Sequence, residues 1–309
     1  MYVKCCLYTD AHTYTCIIKD AHTNVILIKK DDEIIFEKDT LNNVNTNIDF
    51  TAIVKSMSIQ DMLSLVEQCT YEDLAFMLDG VQMNEELAAY SSTNKIGIGI
   101  SSCLKNAQQT NLFTTSALTN MLTKVASAAE NRLDGCPFPT MSSAGAGTKG
   151  LVVILPVHEL ALSINASSLN EVRALAFAHI LNTYINSHIG KLSSMCSCVM
   201  ASSTAASAAM IYLMGGTIKQ IHYAIRNMCG CVTGMICDGG KVGCALKVAS
   251  GTSAAFMCAI NAINNVALRV SDGICAETGE DCIANIAYLA KNTHKEMDGL
   301  ILDIMTNKK

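Results

Sequence analysis

Two cysteine-rich segments are the parts of this 309-residue sequence best suited to chemistry. One is Cys196-Ser197-Cys198, and the other runs from Cys229 to Cys244, with four cysteines and five glycines in sixteen positions. Iron–sulfur clusters and zinc prefer thiolate ligands, and glycines let backbone amides approach cluster sulfurs. The pattern indicates a metal centre. The C-x-C spacing differs from the usual C-x-x-C zinc knuckle, and purely structural thiols are the alternative.

A serine–glycine loop lies before these segments. Ser142 and Ser143 are followed by Gly145, Gly147 and Thr148, directly before a helix-like apolar run. Free amides, hydroxyl donors and a helix N-terminus together favour an anion such as a carboxylate. The loop therefore predicts substrate-binding residues. It lacks the P-loop spacing, and a flexible connector is the alternative.

Two charged residues lie within the second cysteine segment. Asp238 and Lys241 place a carboxylate and an amine beside clustered thiols, so we predict that they are catalytic residues that orient a substrate amine or carboxylate. The histidines His158, His179 and His188 lie in apolar or helical surroundings, and we predict ordinary core or surface roles for them.

The composition indicates a chain with a large core and no nucleic-acid surface. Half of the residues are hydrophobic and 16% are charged, with 22 Lys+Arg against 27 Asp+Glu. No secretory signal is present, so the fifteen cysteines are expected to be cytoplasmic thiols or metal ligands. The stretch 192–218 has no charged residue, but its Ser, Ala and Gly content predicts a buried helix rather than a membrane span.

The N-terminal residues alternate between apolar and polar. Alternation from Val3 to Glu37, with breaks at 20–24 and 30–32, predicts a small antiparallel sheet. From Ser58 onward the period becomes helical, and a longer helix is predicted from Ser116 to Asn131.

The second half has a mainly helical pattern. Ser168 and Glu171 fit a capping box that opens a helix to about His188, closed by Gly190. Further helices are predicted over 192–214, 217–228, 245–268 and 281–305.

These patterns predict an α+β fold with two domains. Residues 1–130 would form a small domain of antiparallel sheet with connecting helices. Residues 131–309 would form a mainly α-helical bundle that carries the thiols and the serine–glycine loop.

The chain resembles the serine dehydratase alpha-chain-like family, which includes bacterial and archaeal L-cysteine desulfidases. Four strings occur in family order and span nearly the whole chain, the fourth being the most specific. They are His22-Thr23-Asn24 and the segments 139–150, 192–198 and 234–247.

The resemblance implies a [4Fe-4S] cluster held by three cysteines, with one iron left open as a Lewis acid. It implies Cys237 as one ligand, either Cys196 or Cys198 as the second, and Cys244 as a further candidate. The serine–glycine loop would hold the carboxylate of a small amino acid. The reaction would convert L-cysteine or L-serine to pyruvate and ammonia, with release of sulfide or water.

Two departures from the family pattern matter. Family desulfidases carry an N-terminal Gly-Cys-Thr-Glu-Pro motif, whose cysteine is a proposed ligand, and this motif does not occur in the sequence. The loop has Ala-Gly-Ala-Gly-Thr-Lys-Gly where many relatives have Gly-Ser-Gly-Asn-Gln-Gly. A separate chain could supply the missing segment, Cys244 or another thiol could substitute, the sequence could be truncated, or activity could be lost.

Three hypotheses follow. The leading one is a cytoplasmic iron–sulfur lyase that acts on a small amino acid, alone or as a homo-oligomer. The second is a non-catalytic or incomplete partner subunit that keeps the fold. The third, less favoured, is a zinc-stabilised structural protein.

Overall fold

The computed structural model describes residues 2–20, 23–38, 49–92, 94, 96–110, 112–190 and 193–308, except for the side chains at 294 and 295. The chain divides into two compact units, Met1–Asp49 and Phe50–Lys309. His22 and Leu192, which belong to two of the resembling strings, lie outside the described residues.

The first unit contains the predicted antiparallel sheet. Its strands are β1 (Tyr2–Tyr8), β2 (Thr13–Lys19), β3 (Val25–Lys30) and β4 (Glu33–Glu37), in the order β1-β2-β3-β4. Each strand pairs antiparallel with the next one along the chain, so the sheet is a meander of hairpins.

The second unit is helical. Its helices are α1 (Phe50–Ser56), α2 (Ile59–Gln68), α3 (Tyr71–Leu74), α4 (Met77–Ala89), α5 (Ile100–Gln109), α6 (Ala117–Leu133), α7 (Gly147–Ser163), α8 (Ser168–Ile189), α9 (Ser197–Met200), α10 (Ser202–Leu213), α11 (Ile218–Val232), α12 (Cys244–Ile263) and α13 (Gly279–Thr306). An antiparallel sheet followed by helices confirms the predicted α+β class.

Helix α10 lies at the centre of the second unit. It packs against α7, α8, α11 and α12, and eleven of its twelve residues are buried. Alanine and serine dominate its sequence, and such small side chains allow close approach on every side. The small-residue stretch therefore forms a buried core helix, as predicted.

One described helix, α12, is long and apolar enough to cross a membrane by length and composition. Half of that span is buried inside the protein, and α12 packs against α6, α10 and α11. Core helices of globular proteins pass the same test, so α12 is weak evidence for a membrane segment.

The domain boundary predicted after residue 130 falls inside α6. This helix packs against α4, α5, α7 and α12, so the helices that precede it share the core of those that follow. The division seen in the structure comes earlier, between Asp49 and Phe50.

Several helix ends differ from those predicted. Ser167, not Ser168, caps α8: its backbone is extended and its side chain accepts from the Asn170 N–H. Glu171 then lies one position too late for a capping box, and its Oε1 instead lies 2.5 Å from His158 Nδ1. Gly190 follows the last helical residue, as predicted.

The helix predicted over 192–214 is two helices, α9 and α10, that follow a non-helical segment. The helix predicted over 245–268 ends earlier, at Ile263, because Asn265 adopts a left-handed conformation (φ 61°).

A buried carboxylate joins α6 to α5. Helix α5 starts after Gly99 without a side-chain cap, and Glu130 supplies one from α6. Glu130 Oε1 accepts the N–H groups of Ile98 (3.1 Å) and Ile100 (2.9 Å), and Oε2 accepts that of Ser101 (2.8 Å). Burial raises the pKa of this carboxyl, but these backbone donors outweigh it and hold the pKa below its ordinary value of 4.5.

We predict that Glu130→Gln lowers the free energy of unfolding by about 2–3 kcal/mol at neutral pH, since three N–H groups lose a charged acceptor. A carboxyl whose pKa is lower in the folded state stabilises the fold at pH values above its unfolded-state pKa. This stabilisation is lost as the pH falls through the folded-state pKa. The difference in the free energy of unfolding between wild type and variant, measured by urea titration, should therefore be smaller at about pH 3 than at about pH 6. The exposed Glu86→Gln is the control. An equal gap at every pH would contradict this account.

Candidate active site

Two segments pair across the second unit to form the centre of the site. The Cys196 N–H donates to Met235 O (2.8 Å), and the Cys237 N–H donates to Ser194 O (2.7 Å). These two bonds form a short antiparallel bridge centred on Met195 and Ile236. The bridge places both cysteine segments from the sequence analysis side by side.

Three thiols, those of Cys196, Cys198 and Cys237, lie near this bridge and interact electrostatically. The Cys198 thiol is hydrogen-bonded to the Cys196 sulfur, and this contact, helped by the Val199 N–H and by the Lys247 charge, lowers the pKa of Cys196 to about 6 against the effect of burial. The same bond, with burial, raises the pKa of Cys198, whose charge also interacts with Cys237. Cys196 is thus the thiol of the pair that ionises first.

Lys149 is buried beside these thiols. Only 5% of it is exposed, and its Nζ donates to Asn186 Oδ1 (2.6 Å). Burial lowers the pKa of Lys149, while the charges of Cys198, Cys196 and Cys237 oppose that shift. Among the described residues, no carboxylate forms an ion pair with Lys149. The charge interactions of this amine are therefore with the thiols.

Asp238 lies at the outer side of the bridge. Its carboxylate forms ion pairs with both Lys241 and Lys247, and these hydrogen bonds hold its pKa far below the usual range. Lys247 also donates to Ile236 O (2.9 Å). A carboxylate fixed between two ammonium groups is a weak proton acceptor, so the geometry supports a positioning role better than that of a base.

Cys244 is the first residue of α12, and its thiol donates to Gly239 O (3.5 Å). The charge of Lys247 interacts with both Cys244 and Cys196, so Cys244 borders the three thiols from the side of α12.

The serine–glycine loop forms a tight turn before α7. Ser143 and Ala146 exchange two backbone hydrogen bonds (3.2 and 3.1 Å), and the central residues Ala144 and Gly145 both have positive φ (45° and 77°). This is the pattern of a type I′ turn. The segment before the turn packs closely against α7, since a Cβ added to Gly150 of that helix would lie 1.9 Å from Met141 O.

The two serines of the loop face different surroundings. Ser142 is exposed, whereas Ser143 is 3% exposed. Ser143 Oγ accepts from Asn182 Nδ2 (2.8 Å) and lies 3.0 Å from His179 Nδ1. Burial lowers the pKa of His179 to about 4, so this imidazole is neutral at pH 7. The structure therefore places Ser143 inside the polar core and Ser142 at the surface.

A buried amide network on α8 connects the loop to the thiols. Asn186 Nδ2 donates to Asn182 Oδ1 (2.9 Å), which also accepts from Ser202 Oγ (3.1 Å). Asn186 Oδ1 in turn holds Lys149. His179, Asn182 and Asn186 were not predicted as site residues. Their spacing of three and four residues, which places them on one face of α8, was the available signal.

Arg132 is a further unpredicted residue. Its Nη1 donates to Thr148 Oγ1 (3.0 Å), and a Cβ on Gly147 would lie 2.5 Å from its Nε. Helix α7 begins at this point without a side-chain cap after Ala146. Within the described part of the chain, no carboxylate forms an ion pair with Arg132. A guanidinium beside an uncapped helix N-terminus favours an anion.

Another charged group lies elsewhere, on α4 and α7. Glu85, His158 and Glu159 place their ligand atoms within 4.8 Å of one another, the only such set of three among the described residues. The Lys124 ammonium already binds both Glu85 and Glu159. A cavity of about 270 Å³, lined in part by Glu85, Lys124 and Lys105, is adjacent but includes no thiol. Neither feature belongs to the thiol site.

The chain matches a known family over most of its length. The family described as "Serine dehydratase alpha chain" matches residues 33–303. A "UPF0597 protein" of Clostridium perfringens (strain SM101 / Type A) is 35% identical over 283 residues, which are 92% of this chain and 65% of that protein.

Two other relatives extend the comparison. A "UPF0597 protein" of Clostridium tetani is 33% identical over 91% of this chain and 65% of its own length. One from Caldanaerobacter subterraneus subsp. tengcongensis is 34% identical over the whole chain and 71% of its own length. The chain thus spans about 65% of the length of the first of these relatives. These matches confirm the resemblance, and the chain belongs to the serine dehydratase alpha chain family.

Proposed function

We propose that this chain is an iron–sulfur-dependent lyase of the L-cysteine desulfidase or L-serine dehydratase type. It would convert L-cysteine and water to pyruvate, ammonia and hydrogen sulfide, or L-serine to pyruvate and ammonia. The observation that carries this proposal is the bridge between Cys196 and Cys237. Lys149 interacts with the three thiols near this bridge, and hydrogen bonds through Asn186 and Asn182 of α8 connect it to the serine–glycine loop.

The donor set fits a [4Fe-4S] cluster. Cys196 and Cys237 are adjacent through the bridge, and the third thiolate comes from Cys198 or from Cys244. Lys149 and Lys247 offset the negative charge that several thiolates bring together. When bound, such a cluster would supply an iron with an open position that polarises the substrate as a Lewis acid.

A single zinc ion fits the same thiols less well. Tetrahedral Zn–S bonds of about 2.3 Å bring the sulfurs to about 3.8 Å from one another. In the described residues, no three of the cysteines have sulfurs within 4.8 Å of one another. The spacing therefore favours a larger metal group over the zinc hypothesis.

The substrate carboxylate is proposed to bind at the start of α7. Arg132 supplies the charge, the first amides of α7 at Gly147 and Thr148 supply N–H donors, and the exposed Ser142 supplies a hydroxyl. Ser143, which we expected to contact the carboxylate, is better placed to hold the turn through Asn182.

The charged residues after Cys237 are proposed to orient the substrate. Asp238 fixes Lys247 against the bridge, and Lys241 is the more exposed of the two amines, with 43% of its side chain accessible. Lys241 can therefore reach a bound amino acid while Asp238 keeps the loop in place.

A second candidate is a subunit that is active only with a companion chain. For either candidate we propose a cytoplasmic location. One difference in the serine–glycine loop favours it: Lys149 stands where many members of the resembling family have a glutamine. The alpha-chain name of the family is in keeping with a multi-subunit enzyme.

We predict that protein reconstituted without oxygen releases sulfide from L-cysteine, or pyruvate from L-serine, and that exposure to air abolishes this activity. Cys237→Ser should remove turnover, because it deletes one ligand next to the bridge. Cys258→Ser changes a buried thiol on α12 outside the site and should keep wild-type turnover. Full activity of the Cys237 variant would refute the assignment of Cys237 as a ligand. If the unmutated chain is inactive alone but active with a companion chain, the second candidate is supported.

We predict that Arg132→Gln raises KM roughly 10- to 100-fold, since it removes a charge-assisted hydrogen bond to the substrate carboxylate. Iron content should not change, because Arg132 does not contact the thiols. Arg269→Gln is the matched control: this arginine is 83% exposed and pairs with Asp272. An unchanged KM in the Arg132 variant would place the carboxylate elsewhere.

A further inference from the structure

Cys229 belongs to a different thiol group from the one its sequence neighbours suggested. It lies on α11, facing α13, where its sulfur is hydrogen-bonded to that of Cys282. Cys229 Sγ also lies 3.7 Å from Ile274 O and 3.8 Å from Cys282 O. Cys275 completes the group and interacts electrostatically with Cys229 and with Cys282. All three side chains are buried, with 1%, 0% and 7% exposure for Cys229, Cys282 and Cys275.

The surroundings of Cys282 stabilise a thiolate. Its Sγ accepts the Ala276 N–H at 3.3 Å. The buried guanidinium of Arg226 lies near, held by Ala276 O (2.7 Å) and Leu268 O (3.3 Å). The bond from the Cys229 thiol, with the Ala276 N–H and the Arg226 charge, lowers the pKa of Cys282 to about 7 against the effect of burial. The same pairing raises the pKa of Cys229.

We propose that Cys229 and Cys282 are a redox-active pair that hydrogen peroxide oxidises to a disulfide between α11 and α13. Cys282 is the attacking thiolate, because the Ala276 N–H and Arg226 favour its charged form. Cys229 is the resolving thiol, because its sulfur is the hydrogen-bonded neighbour of Cys282.

The chemistry balances with peroxide as the only oxidant. The Cys282 thiolate attacks one peroxide oxygen, the O–O bond breaks, and a sulfenic acid forms while the departing hydroxide takes a proton and becomes water. The Cys229 sulfur then attacks the sulfenic sulfur, and its own proton leaves with the hydroxyl group as a second water. Two thiols lose two electrons and two protons, and one peroxide becomes two waters.

Burial restricts which oxidant can react. Thiols with at most a few per cent exposure admit a water-sized molecule far more easily than a peptide disulfide such as oxidised glutathione. The pair also lies close to the candidate active site along the chain. Thr233 Oγ1 donates to Cys229 O (2.6 Å) at the end of α11, directly before the segment that forms the bridge.

The direct test treats the full unmutated chain with hydrogen peroxide, blocks the remaining thiols by alkylation, and maps disulfide-linked peptides by mass spectrometry. We expect a Cys229–Cys282 linked peptide that dithiothreitol removes and that oxidised glutathione alone does not produce. Both cysteines remaining alkylatable, or Cys282 ending as sulfinic acid without a link, would overturn the proposal. So would a disulfide that joins either cysteine mainly to Cys275.

Thermal melting gives a second readout. The two cysteines are 53 positions apart, so a disulfide should raise Tm by about 5–10 °C through the loop that it closes. Dithiothreitol should reverse the rise. Cys258→Ser, which keeps the pair, should show the same rise, and Cys229→Ala should show none. A peroxide-induced rise that persists in Cys229→Ala would contradict the assignment; if that variant does not fold, the peptide map of the unmutated chain decides.

Discussion

The candidate site depends on two backbone hydrogen bonds, from Cys196 to Met235 and from Cys237 to Ser194. Neither segment is part of a longer sheet, so this short bridge alone fixes their register. It places Cys196 and Cys237 on adjacent segments, where the charge of Lys149 on α7 interacts with both thiols and that of Lys247 on α12 interacts with Cys196. Without the bridge, the two cysteine segments would belong to separate loops of a helical unit.

A second constraint is the polar network inside α8. Buried amides are costly unless their hydrogen bonds are satisfied, and Asn182 and Asn186 meet this requirement by bonding to each other, to Ser143 and to Lys149. The network fixes the distance between the loop and the thiols. A substrate whose carboxylate binds at Arg132 would then meet the thiol site at a set spacing, which is the preorganisation a lyase needs.

Much of the fold could be predicted from local pattern. The period-two alternation before residue 38 predicted the hairpins, the helical period predicted α6 to within two residues at each end, and Gly190 marked the end of α8. The clustered cysteines and glycines also predicted that the two thiol segments share a site, and the structure places Cys196, Cys198 and Cys237 near one another. Helix starts such as that at Ser167 were missed by one residue, since two adjacent serines offer the same side chain to the cap.

The parts that could not be predicted depend on long-range contacts. Sequence spacing grouped Cys229 with Cys237, but the direction of α11 turns Cys229 toward α13. Spacing also gave no reason to separate Ser143, which is buried against α8, from the exposed Ser142. The ion pair between Asp238 and Lys247, nine positions apart, was not predicted either. Arg132 belongs to no sequence motif. Its proposed role depends on the position of the end of α6 beside the start of α7, where Arg132 contacts Thr148.

The central claim is that the bridged thiols hold an iron–sulfur cluster. The most direct test is the iron and acid-labile sulfide content, with a visible spectrum, of the unmutated chain purified and reconstituted without oxygen. The account predicts about four irons and four sulfides per chain with broad visible absorbance. A colourless protein that binds no iron after reconstitution, or that takes up only zinc, would contradict it.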